Sequence, residues 1–347
     1  MRRNYSKKEV KEVIEGKNIQ RVPLVFHKWW GIGLEQKYGD ALNSMALKYP
    51  DDVLACFYTP PGEDCSYTDN PNYRWGYKDY SHMAGHSIGE RKVLLDDWNE
   101  LDELLENFPS PWEPEVFDEV KRQSDEAGAD VYKLGCWWHF LHERFWNIRG
   151  MENLMFDYYD AMDELKLLGK KLLEYYKVIV DRFCELGFDG IFTSDDLGHQ
   201  TGPMMSPEIF HELYYPLYKE FIAYVHGRGM HFFLHSCGDN TLLMDDLCKA
   251  GVDVFHPVQK GCMDMEAVVQ KYGNRIAFLA GFDVQHMIVE GEPWQVREEV
   301  QRMKKIFRKY GGRLLMAAGN GIMPDTPMEN IEAMLSEMCR EEDYGKF

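Results

Sequence analysis

From about residue 187 onward, short and nearly unbroken apolar runs alternate with polar turns and with stretches whose apolar positions recur every three or four residues. The runs are GFDGIFTSDD (187–196), MHFFLHSCG (230–238), VDVFHPV (252–258), RIAFLAGFDV (275–284) and RLLMAAGNG (313–321). A strand covered on both faces must be apolar throughout, so these runs predict a parallel sheet wrapped by helices. The stretches between them supply the helices. SPEIFHELYYPLYKEFIAYVHGRG (206–229) opens on Ser-Pro and stops at Gly, and TPMENIEAMLSEMCR (326–340) opens on Thr-Pro. Upstream, RVPLVF (21–26), PDDVLACF (50–57) and DVYKLGCWW (130–138) bring the number of predicted strands to eight. Eight βα units predict an α/β fold, a (β/α)8 TIM barrel with an N-terminal helical extension, as a single domain over residues 1–347.

Residues 59–114 fit no βα unit and are rich in Tyr, Pro, Gly and Asp, with an antiparallel pattern in NYRWGYKDYSH and HSIGERKVLL. They read as an insertion, either a lid over the barrel mouth or a surface excursion.

Composition narrows the function. The formal net charge is -19, with acidic residues spread along helix-like segments such as DDWNELDELLENF, and the basic runs RRN and RKY are too short to override that field for a polyanion. Nucleic acid is therefore excluded as a partner, and a neutral small molecule or a protein is favoured. No stretch approaches the roughly 18 uncharged apolar residues of a membrane span, and the N-terminus carries no apolar leader, which predicts a cytoplasmic chain that does not bind membranes. Eight cysteines, at 56, 65, 136, 184, 237, 248, 262 and 339, form no CxxC pair and read as reduced thiols.

Barrel chemistry sits at the C-terminal ends of the strands. Those ends carry Asp195 and Asp196, His235 and Cys237, His256, Asp283 and Asn320. His235 and Cys237 alternate along an extended segment, so both side chains can reach one Zn2+, with a third ligand from Asp195, Asp196, His256 or Asn320. A buried cysteine beside a hydrogen-bonded histidine is the plain alternative. The carboxylate pair Asp195 and Asp196 can divide into a charged and a protonated partner, or can cap the following segment. His199 and His256 can equally be satisfied core residues. Trp29, Trp30, Trp137 and Trp138 follow strand ends and can line an aromatic pocket or fill the core.

With these residues in view, GIFTSDDLGHQTGPMMSPEIF, HSCGDN, AGVDVFHPVQ, LAGFDVQHMIVEGEPWQVREEV and GNGIMPDTPMENIEAM resemble the uroporphyrinogen decarboxylase-like superfamily, in its branch of cobamide-dependent methyltransferases and O-demethylases. RVPLVF and ERFWNIRGMENLMFDYY resemble it more loosely. In decarboxylases two arginines after strand 1 bind the substrate's carboxylates, and a histidine stands in the closing motif; here those positions hold Lys28, Ile32 and Asn320. In thiol-methylating members the His-x-Cys zinc pair is joined by a cysteine in the closing motif, where this chain again has Asn320.

The resemblance implies methyl transfer from a methoxyarene or a related methyl donor to a cob(I)alamin on a separate corrinoid protein, since the chain has no corrinoid-binding DxHxxG. It implies Zn2+ on His235, Cys237 and an acidic residue, Asp195 first. Asp195, Asp196 and His256 are then the catalytic candidates, and Lys28, Trp29, Trp30, Trp137, Asp283 and Asn320 line the substrate. Members of the family often form homodimers. A decarboxylase acting on a smaller substrate and a non-catalytic binding barrel are the competing readings.

Overall fold

The computed structural model describes residues 4–18, 21–49, 51–58, 93–106 and 114–340. Seven parallel strands form one curled sheet: β1 (Val53–Phe57), β2 (Tyr132–Trp137), β3 (Gly190–Ser194), β6 (His231–His235), β7 (Val254–His256), β8 (Ala277–Phe282) and β9 (Arg313–Ala318), neighbours in that order. A short antiparallel pair, β4 (Gly198–His199) and β5 (Gly202–Pro203), projects beyond β3. The fold is TIM-barrel-like.

The expected first strand, RVPLVF, is the exception. Residues 23–26 lie between β9 and β1 without forming a regular strand: Val25 N donates to Met316 O at 3.0 Å, Met316 N to Pro23 O at 2.9 Å and Ala318 N to Phe26 O at 3.2 Å. Pro23 has no N–H to give, and Phe26 turns out of the extended region at φ 52°. On the β1 side a side chain replaces part of the ladder. Asp52 accepts from Leu24 N and Tyr5 N, both at 2.8 Å, while Asp52 N donates to Leu24 O at 3.3 Å.

Alternation along the strands divides the buried residues into two cores. Leu134 and Cys136, Phe192, Phe233, Val254, Leu279 and Leu315 point inward. Ile191, Phe232, Phe255, Phe278 and Leu314 point outward to the helix layer. Helix α1 (Lys7–Ile14) completes the inner core with Val10, Val13 and Ile14. It seats on the strands' N-terminal ends: Lys7 N donates to Asp130 O, Lys7 and Lys11 pair with Asp189 at 3.0 and 2.8 Å, and Arg313 Nη1 donates to Ile14 O. A Ser6–Glu9 capping box starts this helix.

The expected helix over 206–229 is present in three pieces. Ser206 caps Pro207–Ile209, a π turn follows over Phe210–Tyr214, and Tyr215–Gly227 completes it. Pro216 cannot donate to the preceding turn, which accounts for the local unwinding. Before Met328–Met338 the Thr-Pro signal works through Pro327 alone, because Thr326 Oγ1 is buried with no partner among the described residues.

Most of the predicted 59–114 insertion, with both of its antiparallel stretches except Val93–Leu95, lies outside the described residues. Its described end, 93–106, is anchored by Arg149. That guanidinium donates to both carboxylate oxygens of Asp157 and to the carbonyls of Leu95 and Asp96, and it lies 4.4 Å from the Trp98 ring centroid.

At the foot of β6, His226 Nε2 donates to Asp253 Oδ2 at 2.7 Å, and this bond holds the imidazole above its ordinary value. Protonated His226 is therefore favoured by folding: its contribution is complete below the ordinary imidazole value and is lost as pH rises through the raised one. His226→Gln should lower the urea midpoint at acid pH, and the gap from wild type should close on the alkaline side. A gap that is constant with pH would contradict the assignment.

Candidate metal centre at the strand ends

Inward parity carries His235 to the end of β6 beneath the mouth, and the next inward position is Cys237. Inward parity on β3 runs Phe192, Ser194, Asp196. Ligand atoms of Asp196, His235 and Cys237 all lie within 4.8 Å of one another, the one such group among the described residues. His235 Nε2 is 3.3 Å from Cys237 Sγ and 3.6 Å from Asp196 Oδ1. Imidazole, thiolate and carboxylate suit zinc, and three protein donors are the number that a catalytic zinc takes while keeping a position open.

The loop that carries Cys237 is fixed by its own backbone contacts. Cys237 N donates to Asp196 Oδ1 at 2.7 Å, Gly238 N to Gln259 Oε1 at 2.7 Å, and Asn240 Nδ2 to the carbonyls of Ser236, Cys237 and Gly238. Gly238 is required: its φ is +81°, and an added Cβ would fall 2.3 Å from the backbone carbon of Gly198.

The structure brings together some of the expected residues and separates others. Asp195, the first choice for a third ligand, faces the other way. Its parity is that of Ile191 and Thr193, and its carboxylate accepts from Tyr218 Oη at 2.6 Å and from Glu143 N at 2.9 Å. Burial pushes this carboxyl up to about 6. Asp195 thus anchors the start of helix His142–Arg149, and it is Asp196 that lies beside His235 and Cys237.

Trp137 also faces outward, stacked on Tyr176 at 5.6 Å, so it lines no mouth. Its neighbour Trp138 stacks on Trp29 with ring centroids 5.5 Å apart and 10° between planes, and both indoles meet His235 edge-on at 6.3 and 6.0 Å. Trp30 packs on the outer core, and its backbone bridges to Ile322.

Lys28 is committed elsewhere: its ammonium pairs with Asp51 at 2.5 Å and donates to Tyr49 O at 3.0 Å. Asp283 and Asn320 line a small cavity with Cys237, Gln259 and Lys260. There Asp283 accepts from Gln285 N and His286 N, capping a turn, and Asn320 Nδ2 lies 4.0 Å from Cys237 Sγ. His199 is exposed on the β4–β5 hairpin.

His256, fully buried, stands behind the cluster: its Nδ1 is 2.7 Å from His235 Nδ1, and its Nε2 is 3.1 Å from Ala318 O. Burial lowers both imidazoles, that of His256 most. Sequence reasoning missed Glu143. Its carboxylate accepts from Ser194 Oγ, and burial followed by the charges of Asp196 and Asp195 holds it well above the ordinary carboxylate range. The available signal was the polar stretch His142-Glu143-Arg144 set between the apolar pairs Phe140-Leu141 and Phe145-Trp146.

Comparison with known proteins follows the same line. The family model for uroporphyrinogen decarboxylase (URO-D) matches residues 147–341, more than half of the chain. The chain belongs to this family. Two curated methylcobamide:CoM methyltransferases MtaA are similar to it, one from Methanosarcina barkeri at 25% identity over 242 residues and one from its strain Fusaro at 22% over 243. Each match covers 67% of this chain, and the chain spans about 64% of the length of each relative. A methyltransferase from Methanosarcina mazei superposes with a TM-score of 0.66 at 16% identity, covering 96% of this chain and 98% of that one, which shows the shared fold. Among the described residues, no helix of this family member is long and apolar enough to cross a membrane.

Proposed function

We propose that this chain moves a methyl group from an oxygen-bound donor, a methoxylated aromatic, to a cobamide on a separate corrinoid protein, using Zn2+ held by Asp196, His235 and Cys237. The observation that carries the reading is the donor set itself, one cysteine sulfur, one imidazole and one carboxylate converging beside stacked indoles. Bound there, zinc supplies Lewis-acid polarisation of the ether oxygen. A carboxylate donates less charge than a second thiolate, so this set favours activating an oxygen leaving group over binding a thiol. Asn320, at the position of that second thiolate in thiol-methylating relatives, is neutral and directs its amide toward Cys237 Sγ.

The other groups fit the same task. Trp29 and Trp138 present apolar surface to an uncharged aryl ring, whose burial contributes about 25 cal/mol per Å2. Glu143, whose carboxyl burial pushes well above the ordinary carboxylate range and which accepts from Ser194 Oγ, is the group we assign as proton source for the departing phenolate. The relatives named methylcobamide:CoM methyltransferases support a cobamide as one partner of the methyl transfer; in that name it is the donor and CoM the acceptor, so the direction proposed here rests on the donor set and Asn320. A decarboxylase reading needs a cation free to meet a carboxylate, and Lys28 is neutralised by Asp51.

The test is turnover by zinc-loaded protein with cob(I)alamin over a panel of methoxyarenes and methylamines, following methylcobalamin by absorbance. Methylcobalamin formed from a methoxyarene is the expected result. Carbon dioxide release from an aromatic acid with no methyl transfer, or tight ligand binding with no turnover, would overturn the proposal in favour of a decarboxylase or a binding barrel.

A further inference from the structure

We infer that His256 is a positioning residue that fixes the tautomer of His235, so that Nε2 of His235 is the atom presented to a metal. The inference rests on the proposed metal centre and concerns how the protein prepares it. The argument starts from Ala318. A carbonyl can only accept, so the 3.1 Å contact places a proton on His256 Nε2.

His256 is fully buried and, among the described residues, no carboxylate is in contact with either of its ring nitrogens, so it is a neutral ring whose Nδ1 holds a lone pair. The 2.7 Å contact between the two Nδ1 atoms then requires the proton to sit on His235. That leaves the lone pair of His235 on Nε2, the nitrogen that faces Cys237 Sγ and Asp196 Oδ1.

Each link is held by regular structure. His235 and His256 are register partners that end β6 and β7, and Ser236 N donates to His256 O at 2.9 Å. Ala318 ends β9, and its own N–H donates to Phe26 O. Phe192 and Trp29 lie within 6.4 Å, centroid to centroid, of both imidazoles and exclude competing water. Metal-binding histidines elsewhere depend on an outer hydrogen-bond partner of this kind, whose loss costs about 10–100-fold in metal affinity. Here that partner is another histidine, itself oriented by a strand carbonyl.

Two measurements test the inference. In metal-free wild type with 15N-labelled histidine, correlation spectra should show His235 protonated at Nδ1 and bare at Nε2; the reverse tautomer overturns the inference whatever the metal does. In Co2+ titrations, His256→Asn keeps an acceptor near the place of Nδ1 and should retain wild-type affinity and the thiolate charge-transfer band. His256→Leu should bind about 10–100-fold more weakly. Equal weakening in both variants, or in neither, overturns the inference, with near-UV circular dichroism certifying the fold. Wild type that binds no Co2+ with a thiolate band removes the metal centre itself, a failure that the 15N measurement tells apart from a wrong tautomer.

Discussion

Purified Cys237→Ala should contain no stoichiometric zinc and should lose methyl transfer by about 10³-fold or more, because Lewis-acid activation of a poor leaving group contributes several kcal/mol to the barrel's chemistry. Thermal stability should stay near that of wild type. Cys237 is half-buried at the end of a loop that is held by Asn240 and Gln259 through backbone groups, and alanine leaves all of those bonds in place. Metal analysis by mass spectrometry and single-turnover kinetics check the two halves together. Full activity in a zinc-free variant would refute the centre and move the chemistry to Glu143.

The adjacent aspartates should separate cleanly when each is replaced by alanine. Asp196→Ala removes a ligand and should weaken zinc by more than the roughly 100-fold that marks an outer-sphere loss, with little effect on folding. Asp195→Ala leaves Tyr218 Oη and Glu143 N buried without their acceptor and should cost about 2–4 kcal/mol of stability, read from urea unfolding, while zinc stoichiometry in the folded protein persists. The opposite pattern, with stability lost at 196 and zinc lost at 195, would reverse the assignment.

That pair also shows where sequence reasoning reached its limit. Strand positions, the His-x-Cys pair and the gathering of polar groups at strand ends were all legible, because a buried parallel strand is an apolar run with an abrupt polar end. The same property erased the inside from the outside. When both faces are buried, Ile191 and Phe192, or Cys136 and Trp137, carry no polarity contrast to say which looks into the lumen. The apolar run by itself therefore offers Asp195 as readily as Asp196, and Trp137 as readily as Trp29.

Parity relative to His235 and Cys237 could have been carried across the sheet only by knowing the register, such as Ser194 opposite His235, and register is a tertiary fact. Strand 1 failed for a more local reason that Pro23 already announced. Glu143 was hidden because its character comes from burial beside two carboxylates distant in the chain, not from its neighbours in sequence.

Helix α1 has one more consequence. With Val10, Val13 and Ile14 packed into the bottom of the lumen, the barrel is a cup with a floor, not a tube. On the proposed reaction, small donor and macromolecular acceptor must then share the opening above His235. The donor then sits deeper and arrives first, and the bulky acceptor seals it in. Kinetics should be compulsory-ordered, with excess corrinoid protein acting as a dead-end inhibitor that traps the cup before it is filled.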